Sequence, residues 1–245
     1  GCVSSEARRK SDKSSDSSTV KNMSVISDQI KIITETLPDG VELVAVSKFH
    51  PVEALKEAYD AGQRIFGESR VQEISQKRLL MPDDVQWHFI GHLQTNKVRQ
   101  LVPYISLVHS VDSMKLLETI NAESVRIGRV VDVLLQLHVA QEETKFGFTC
   151  EDCVDLVDKG VLDRLPNVRV CGVMGMATNT DDMGKVREEF KSIKNVFDTL
   201  KQRYFADKPY FKEISMGMSD DYHIAMEEGS TLVRIGTTIF GSRGY

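Results

Sequence analysis

Three features of the sequence predict an α/β chain closed into a single (β/α)8 (TIM) barrel with one extra helix at its N-terminus. Short runs of apolar, β-branched residues alternate with amphipathic stretches along almost the whole chain, the pattern of a parallel sheet with helical crossovers. The chain has 245 residues, a length at which such barrels form as one domain. The first run ends in Ser47-Lys48, where a doubly wound open sheet would carry a glycine-rich turn.

Taken in order, residues 1–22 are rich in serine, lysine and arginine and nearly free of apolar side chains. They cannot bury enough surface to offset the entropy of ordering and are expected to form a disordered leader or tag, with the barrel occupying residues 23–245. Gly1-Cys2-Val3-Ser4-Ser5 would match an acylation signal behind a methionine. Nothing downstream looks membrane-directed, so the leader reading is preferred. Ser24–Leu37 is expected to be an amphipathic helix, with Val25, Ile30, Ile33 and Leu37 near helical spacing. Strands are expected at Val41–Lys48, Arg64–Glu68, Gln86–His92, Ile105–Val111, Val131–Val139, Val168–Ala177, Glu213–Met218 and Leu232–Phe240. Helices are expected at about 51–62, 70–80, 94–102, 113–127, 150–158, 181–204 and 220–228. Pro51 suits a first helical turn, and Gly62 and Gly229 suit left-handed helix ends.

Composition narrows the class. Hydrophobic residues at 41% and charged residues at 27% are ordinary for a soluble globular protein. A net charge of −5 gives no pull towards nucleic acid or an anionic membrane. No apolar run approaches a membrane span, and no secretory segment opens the chain. Four cysteines, Cys2, Cys150, Cys153 and Cys171, do not make a disulfide framework. A cytoplasmic setting is expected.

Barrels of this kind place their chemistry at the carboxyl ends of the strands. A lysine there is partly desolvated, which lowers its pKa and frees its amine to attack an aldehyde; the plainer reading is a side chain reaching out to water. Ser219 precedes Asp220-Asp221-Tyr222 and is placed as a helix N-cap, while Gly236-Thr237-Thr238 forms a small-residue turn. These lie in the loops after strands seven and eight, the usual phosphate site of such barrels. Arg234 shares a strand face with Gly236, so it either pairs with a carboxylate or faces a ring nitrogen. An imine-forming lysine, a phosphate cradle and an arginine together describe a pyridoxal 5′-phosphate (PLP) site.

The segments AVSKFHP, FGESRVQE, WHFIGHLQTNK, SMGMS and VRIGTTIFG resemble the signature segments of the YggS/PROSC family of pyridoxal phosphate homeostasis proteins, from about Val41 to Gly241. The resemblance implies a barrel like the N-terminal domain of alanine racemase, the fold-type III arrangement. It implies that Lys48 holds PLP as a Schiff base, that Ser219, Gly236 and Thr237 hold the phosphate, and that Arg234 faces the pyridine nitrogen and weakens the cofactor as an electron sink. Ser69 and Met218 are placed among the cofactor-lining residues. The family pattern has asparagine where this chain has Ser69, whose shorter hydroxyl is expected to reach the cofactor through water or not at all. With Tyr245 following the eighth strand closely, no second racemase-type domain is expected. The expected function is therefore a PLP-binding homeostasis protein with little or no turnover, monomeric, with PLP-dependent apo-enzymes as candidate recipients. A low-activity amino-acid racemase is the alternative within the same fold.

A metal-dependent barrel hydrolase is a further alternative, because His88, His92, His109 and His138 lie at or near strand ends. Satisfied barrel histidines are the preferred reading, since the first strand lacks a His-x-His pair. Cys150-Glu151-Asp152-Cys153 has redox-like spacing, but its acids would raise the thiol pKa. Lys145 is expected to be solvated, with a secondary aldehyde contact as its alternative. The Met174–Met176 and Met216–Met218 pairs read as filler around the barrel mouth.

Overall fold

The computed structural model describes residues 17–142 and 146–242, with side-chain surroundings from residue 25 onward. Residues 1–16 of the expected leader 1–22, the acylation reading at Gly1-Cys2 and the Lys145 contact lie outside the described residues.

Helix α1 (Ser17–Thr36) leads into strand–helix units: β1 (Glu42–Val46), α2 (Val52–Asp60), β2 (Ile65–Glu68), α3 (Val71–Lys77), β3 (Gln86–Phe89), α4 (Val98–Leu101), β4 (Leu107–Val111), α5 (Met114–Arg126), β5 (Val131–Leu137), α6 (Cys150–Asp158), β6 (Val168–Gly175), α7 (Met183–Tyr204), β7 (Glu213–Ser215), α8 (Tyr222–Glu227), β8 (Leu232–Ile235) and α9 (Thr237–Phe240). The strands are parallel, each beside its sequence neighbour, and β8 closes on β1 through pairs from Glu42↔Leu232 to Ala45↔Ile235. This is the expected (β/α)8 barrel.

Alternation along each strand divides the core in two. Outward-facing residues such as Phe66, Phe89 and Val133 pack with helix residues such as Leu55, Leu117 and Phe190. Val44, Ile65, Leu107, Leu134, Cys171, Met174 and Leu232 form a separate cluster filling the bore. Each fully buried side chain of this size contributes about 2–3 kcal/mol. The bore is therefore a packed floor, and the ligand-sized space lies at the strand carboxyl ends.

Three local expectations need correction. Helix α1 begins at Ser17, so the expected start at Ser24 falls inside it, and residues 17–22 of the expected disordered leader 1–22 are helical. It turns Ile26, Ile30 and Ile33 towards the barrel and leaves Val25 exposed, because spacings of four and three hold one face while Val25 lies off it. Strand eight stops at Ile235. Gly236 takes φ −123°, ψ −67° and starts the turn of α9, whose Ile239 is buried against the core. The apolar pair Ile239-Phe240 belongs to a helix, and sequence alone reads it as strand.

Gly62 and Gly229 adopt φ of 106° and 103°, as expected of helix-end glycines. Gly172 carries a different constraint. A Cβ there would lie 1.7 Å from the Glu213 carbonyl oxygen. The β5–β6 register shifts beside it, with Val133 opposite Val170 and Leu134 opposite Gly172. Such a bulge re-aims the side chains that follow it towards the mouth.

Candidate functional site

A cleft of about 420 Å³ opens among the strand carboxyl ends, lined by Lys48, Ser69, Met218, Ser219, Arg234, Gly236 and Thr237 together with Ile90, Gln136 and Phe146. Every residue singled out in the sequence as a cofactor contact thus faces one space. A second groove of about 450 Å³ runs beside it and shares Gln136, Phe146, Met176, Met218 and Asp220.

One end of the cleft is built for an anion. Ser219 Oγ and Thr237 Oγ1 lie 3.3 Å apart, joining the loops after β7 and β8. Ser219 is not the N-cap it was expected to be. Asp221 holds that position, and its Oδ1 accepts from the Met218 N–H at 2.7 Å. The Ser219 hydroxyl is therefore not committed to a cap. In α9 the first intrahelical bonds run from Ile239 and Phe240 to the Gly236 carbonyl. The Thr237 and Thr238 amides precede that turn and are not consumed by it. A Cβ on Gly236 would sit 3.1 Å from the Val46 carbonyl oxygen, so glycine lets this turn press against β1. Two hydroxyls and two unspent amides fit a phosphate monoester.

Arg234 closes the floor. It is buried, with Nη1 donating to Ser215 Oγ at 2.5 Å and Nη2 to the Gly175 carbonyl at 3.2 Å. Burial lowers its pKa to about 10, with the Asp221 charge acting in the opposite direction, so it stays cationic at neutral pH. Its hydrogen-bond partners are neutral. Behind Ser215 lie His109 and His88, whose ring nitrogens bond each other at 2.8 Å. Burial holds His88 down at about 3 and His109 well below the usual imidazole range. These are the satisfied barrel histidines expected. His92 sits at the mouth, bonded to Asp112 at 3.1 Å and stacked on Phe146.

The opposite wall carries Lys48, and the residues flanking it are held by charges the sequence did not flag. Ser47 Oγ donates to Glu68 Oε1 at 2.8 Å, and Lys77 Nζ donates to Glu68 Oε1, Glu73 Oε1 and the Ser47 carbonyl at 2.7, 2.7 and 2.8 Å. The Phe49 N–H donates to Glu73 Oε1 at 2.5 Å, and Phe49 takes φ of 66°, a left-handed conformation rare for an aromatic residue. Strain of this kind persists where neighbouring contacts over-determine it, and it fixes how the chain leaves Lys48. One signal was available: Lys77 falls on the buried stripe of α3 with Val71 and Ile74.

Glu68 is wholly buried, its Oε2 has no hydrogen-bond partner among the described residues, and burial raises its pKa to about 7 against the pull of Lys77. At Glu73 burial acts upward too, but hydrogen bonds from Lys77 and Phe49 outweigh it and the pKa is lowered. A raised folded-state pKa means the native protein holds a proton that the unfolded chain has released. The contribution of Glu68 is therefore complete below about pH 4.5 and is lost as pH rises through about 7. The loss is on the order of 3 kcal/mol. Glu68→Gln should flatten stability across this interval, read as urea midpoints against pH; an unchanged slope would contradict the assignment.

The methionine pairs divide. Met174 and Met216 are buried filler, whereas Met176 and Met218 are exposed at the mouth. Cys153 is buried and its thiol pushed up to about 12, which suits packing rather than redox chemistry.

The profile of the family described as "Alanine racemase, N-terminal domain" matches residues 22–244. A pyridoxal phosphate homeostasis protein of Vibrio alginolyticus is 38% identical over 237 residues, covering 94% of this chain and 99% of its own. The structure of PipY from Synechococcus elongatus with PLP bound superposes with a TM-score of 0.79 at 35% identity, covering 88% of this chain and all of PipY. Alanine racemase from Streptomyces coelicolor shares the fold with a TM-score of 0.74 at 20% identity, matched over 58% of its length. The chain belongs to the pyridoxal phosphate homeostasis protein family, built on the alanine racemase N-terminal barrel.

Proposed function

We propose that this protein binds PLP on Lys48 and serves intracellular PLP homeostasis as a carrier rather than an enzyme of high turnover. The observation that carries the reading is one cleft holding a strand-end lysine, an anion cradle and a buried arginine whose hydrogen-bond partners are neutral. When bound, PLP supplies an aldehyde, to which the Lys48 amine adds with loss of water. Ser219, Thr237 and the amides opening α9 hold the phosphate, and Gly236 lets that turn approach. Arg234 donates towards the pyridine nitrogen, which keeps a proton off it and weakens electron withdrawal from a substrate. Ser69 and Met218 flank the ring.

A binding role, with PLP-dependent apo-enzymes as recipients, is the functional reading. A monomer in the cytoplasm is its setting. Among the described residues no helix is long and apolar enough to cross a membrane, and Cys150, Cys153 and Cys171 are free thiols. The test is to load the protein with PLP and follow exchange of the alanine α-proton with deuterated solvent beside delivery to a PLP-requiring apo-enzyme. The expected result is exchange no faster than with free PLP and recovery of the apo-enzyme's activity. Exchange far above that of free PLP would favour the racemase reading.

A further inference from the structure

The bore beneath the cleft holds a buried polar chain linking strands far apart in sequence: Arg234 on β8, Ser215 on β7, His109 on β4 and His88 on β3. The relative exposures are 4%, 0%, 0% and 5%. Such a chain has few proton arrangements, because each group's capacity is fixed.

A guanidinium only donates, so Ser215 Oγ accepts from Arg234 Nη1. The serine then has one proton to place. Giving it to His109 Nδ1, 2.8 Å away, satisfies both atoms. That choice puts the His109 proton on Nε2, from which it is donated to His88 Nδ1, and the His88 proton goes to Nε2. In the reverse arrangement His109 Nδ1–H would donate to Ser215, and the buried serine proton would lose this acceptor, which costs about 1–3 kcal/mol. Every proton therefore points away from Arg234, and the serine turns its lone pairs towards the cation.

We propose that Ser215, His109 and His88 are positioning residues: a proton-ordered chain that holds Arg234 as a fixed donor aimed at the bound ligand while offering it no negative charge. The inference rests on the PLP reading of the cleft. It assigns a role to three residues that are not among those lining the cleft. A carboxylate in place of Ser215 would also hold the arginine but would neutralise it; here the chain itself brings no anion, and the Asp221 charge and the anionic cofactor act on Arg234 from outside it. The low proton affinity of both imidazoles agrees with this ordering, since an added proton would leave two donors facing one another.

Two measurements test it. Nitrogen-15 NMR of histidine-labelled protein should show His109 neutral with its proton on Nε2 at neutral pH, both with and without PLP. A proton on His109 Nδ1 would overturn the ordering whatever the cofactor does. Ser215→Ala should still give a borohydride-fixed adduct on Lys48, but with a shifted absorption band and PLP binding weakened about tenfold. Ser215→Thr, which keeps the hydroxyl, should restore both. Wild-type spectrum and affinity in Ser215→Ala would overturn the positioning role while leaving PLP binding intact. Failure of the wild-type protein to take up PLP would instead refute the functional reading, with the histidine tautomers still deciding the chain.

Discussion

Lys77→Met should cost the fold about 3 kcal/mol at neutral pH, as loss of one partner from a buried ion pair does. Lys77 Nζ makes three close contacts, to Glu68, Glu73 and the carbonyl of Ser47. Methionine fills similar space and returns none of them. Glu68, already raised to about 7 by burial, would be driven higher and would have to bind a proton to stay inside. The cost should thus grow as pH rises, because the unfolded chain ionises freely. The clamp on Ser47 and Phe49 would loosen too, so PLP should attach to Lys48 more slowly. Urea unfolding and the rate of appearance of the cofactor band measure the two effects. Adding Glu68→Gln to Lys77→Met should recover part of the stability, since a neutral amide removes the stranded charge. A stability loss below about 1 kcal/mol would show that the cluster is a surface-like pair of little weight.

Ser219→Asp should weaken PLP binding at least a hundredfold, a penalty of about 3 kcal/mol or more. The Ser219 hydroxyl lies 3.3 Å from that of Thr237, and a carboxylate there would stand about 4 Å from a bound phosphate, where each pair of like charges costs about 4 kcal/mol at a surface-like effective dielectric. Pyridoxal, which has the aldehyde and ring without the phosphate, is the control. Its affinity should change little in the same variant. Equal weakening of both ligands would mean that Ser219 supports the site without meeting the phosphate, and no change in either would place the phosphate elsewhere.

The strand order was legible because the barrel strands are short runs rich in buried apolar residues, as in Val131–Leu137, whose Val131, Val133, Leu135 and Leu137 share one face, and because the crossovers carry helical periodicity. The cleft followed from that order, since closure brings Lys48, Ser219, Arg234 and Thr237 to one end of the barrel whatever their separation in sequence. Local choices were less legible. Ser219-Asp220-Asp221 offers three residues able to cap α8, and only the backbone decides that Asp221 does so. Ile239 and Phe240 look like a continuing strand until the turn at Gly236 is seen. The polar support of the site was hidden for a different reason. Ser215 and His109 are 106 residues apart and meet only across the closed bore. Lys77 and Glu68 lie on different elements and pair only because α3 turns its buried face to the barrel.

The most direct measurement is borohydride reduction of the PLP-loaded protein followed by peptide mass analysis, for wild type and Lys48→Ala. The proposed function predicts a visible band in the wild type that reduction fixes, with the cofactor mass on the peptide containing Lys48 and none fixed in Lys48→Ala. A wild-type protein that takes up no PLP, or an adduct that persists on another lysine when Lys48 is replaced, would contradict it.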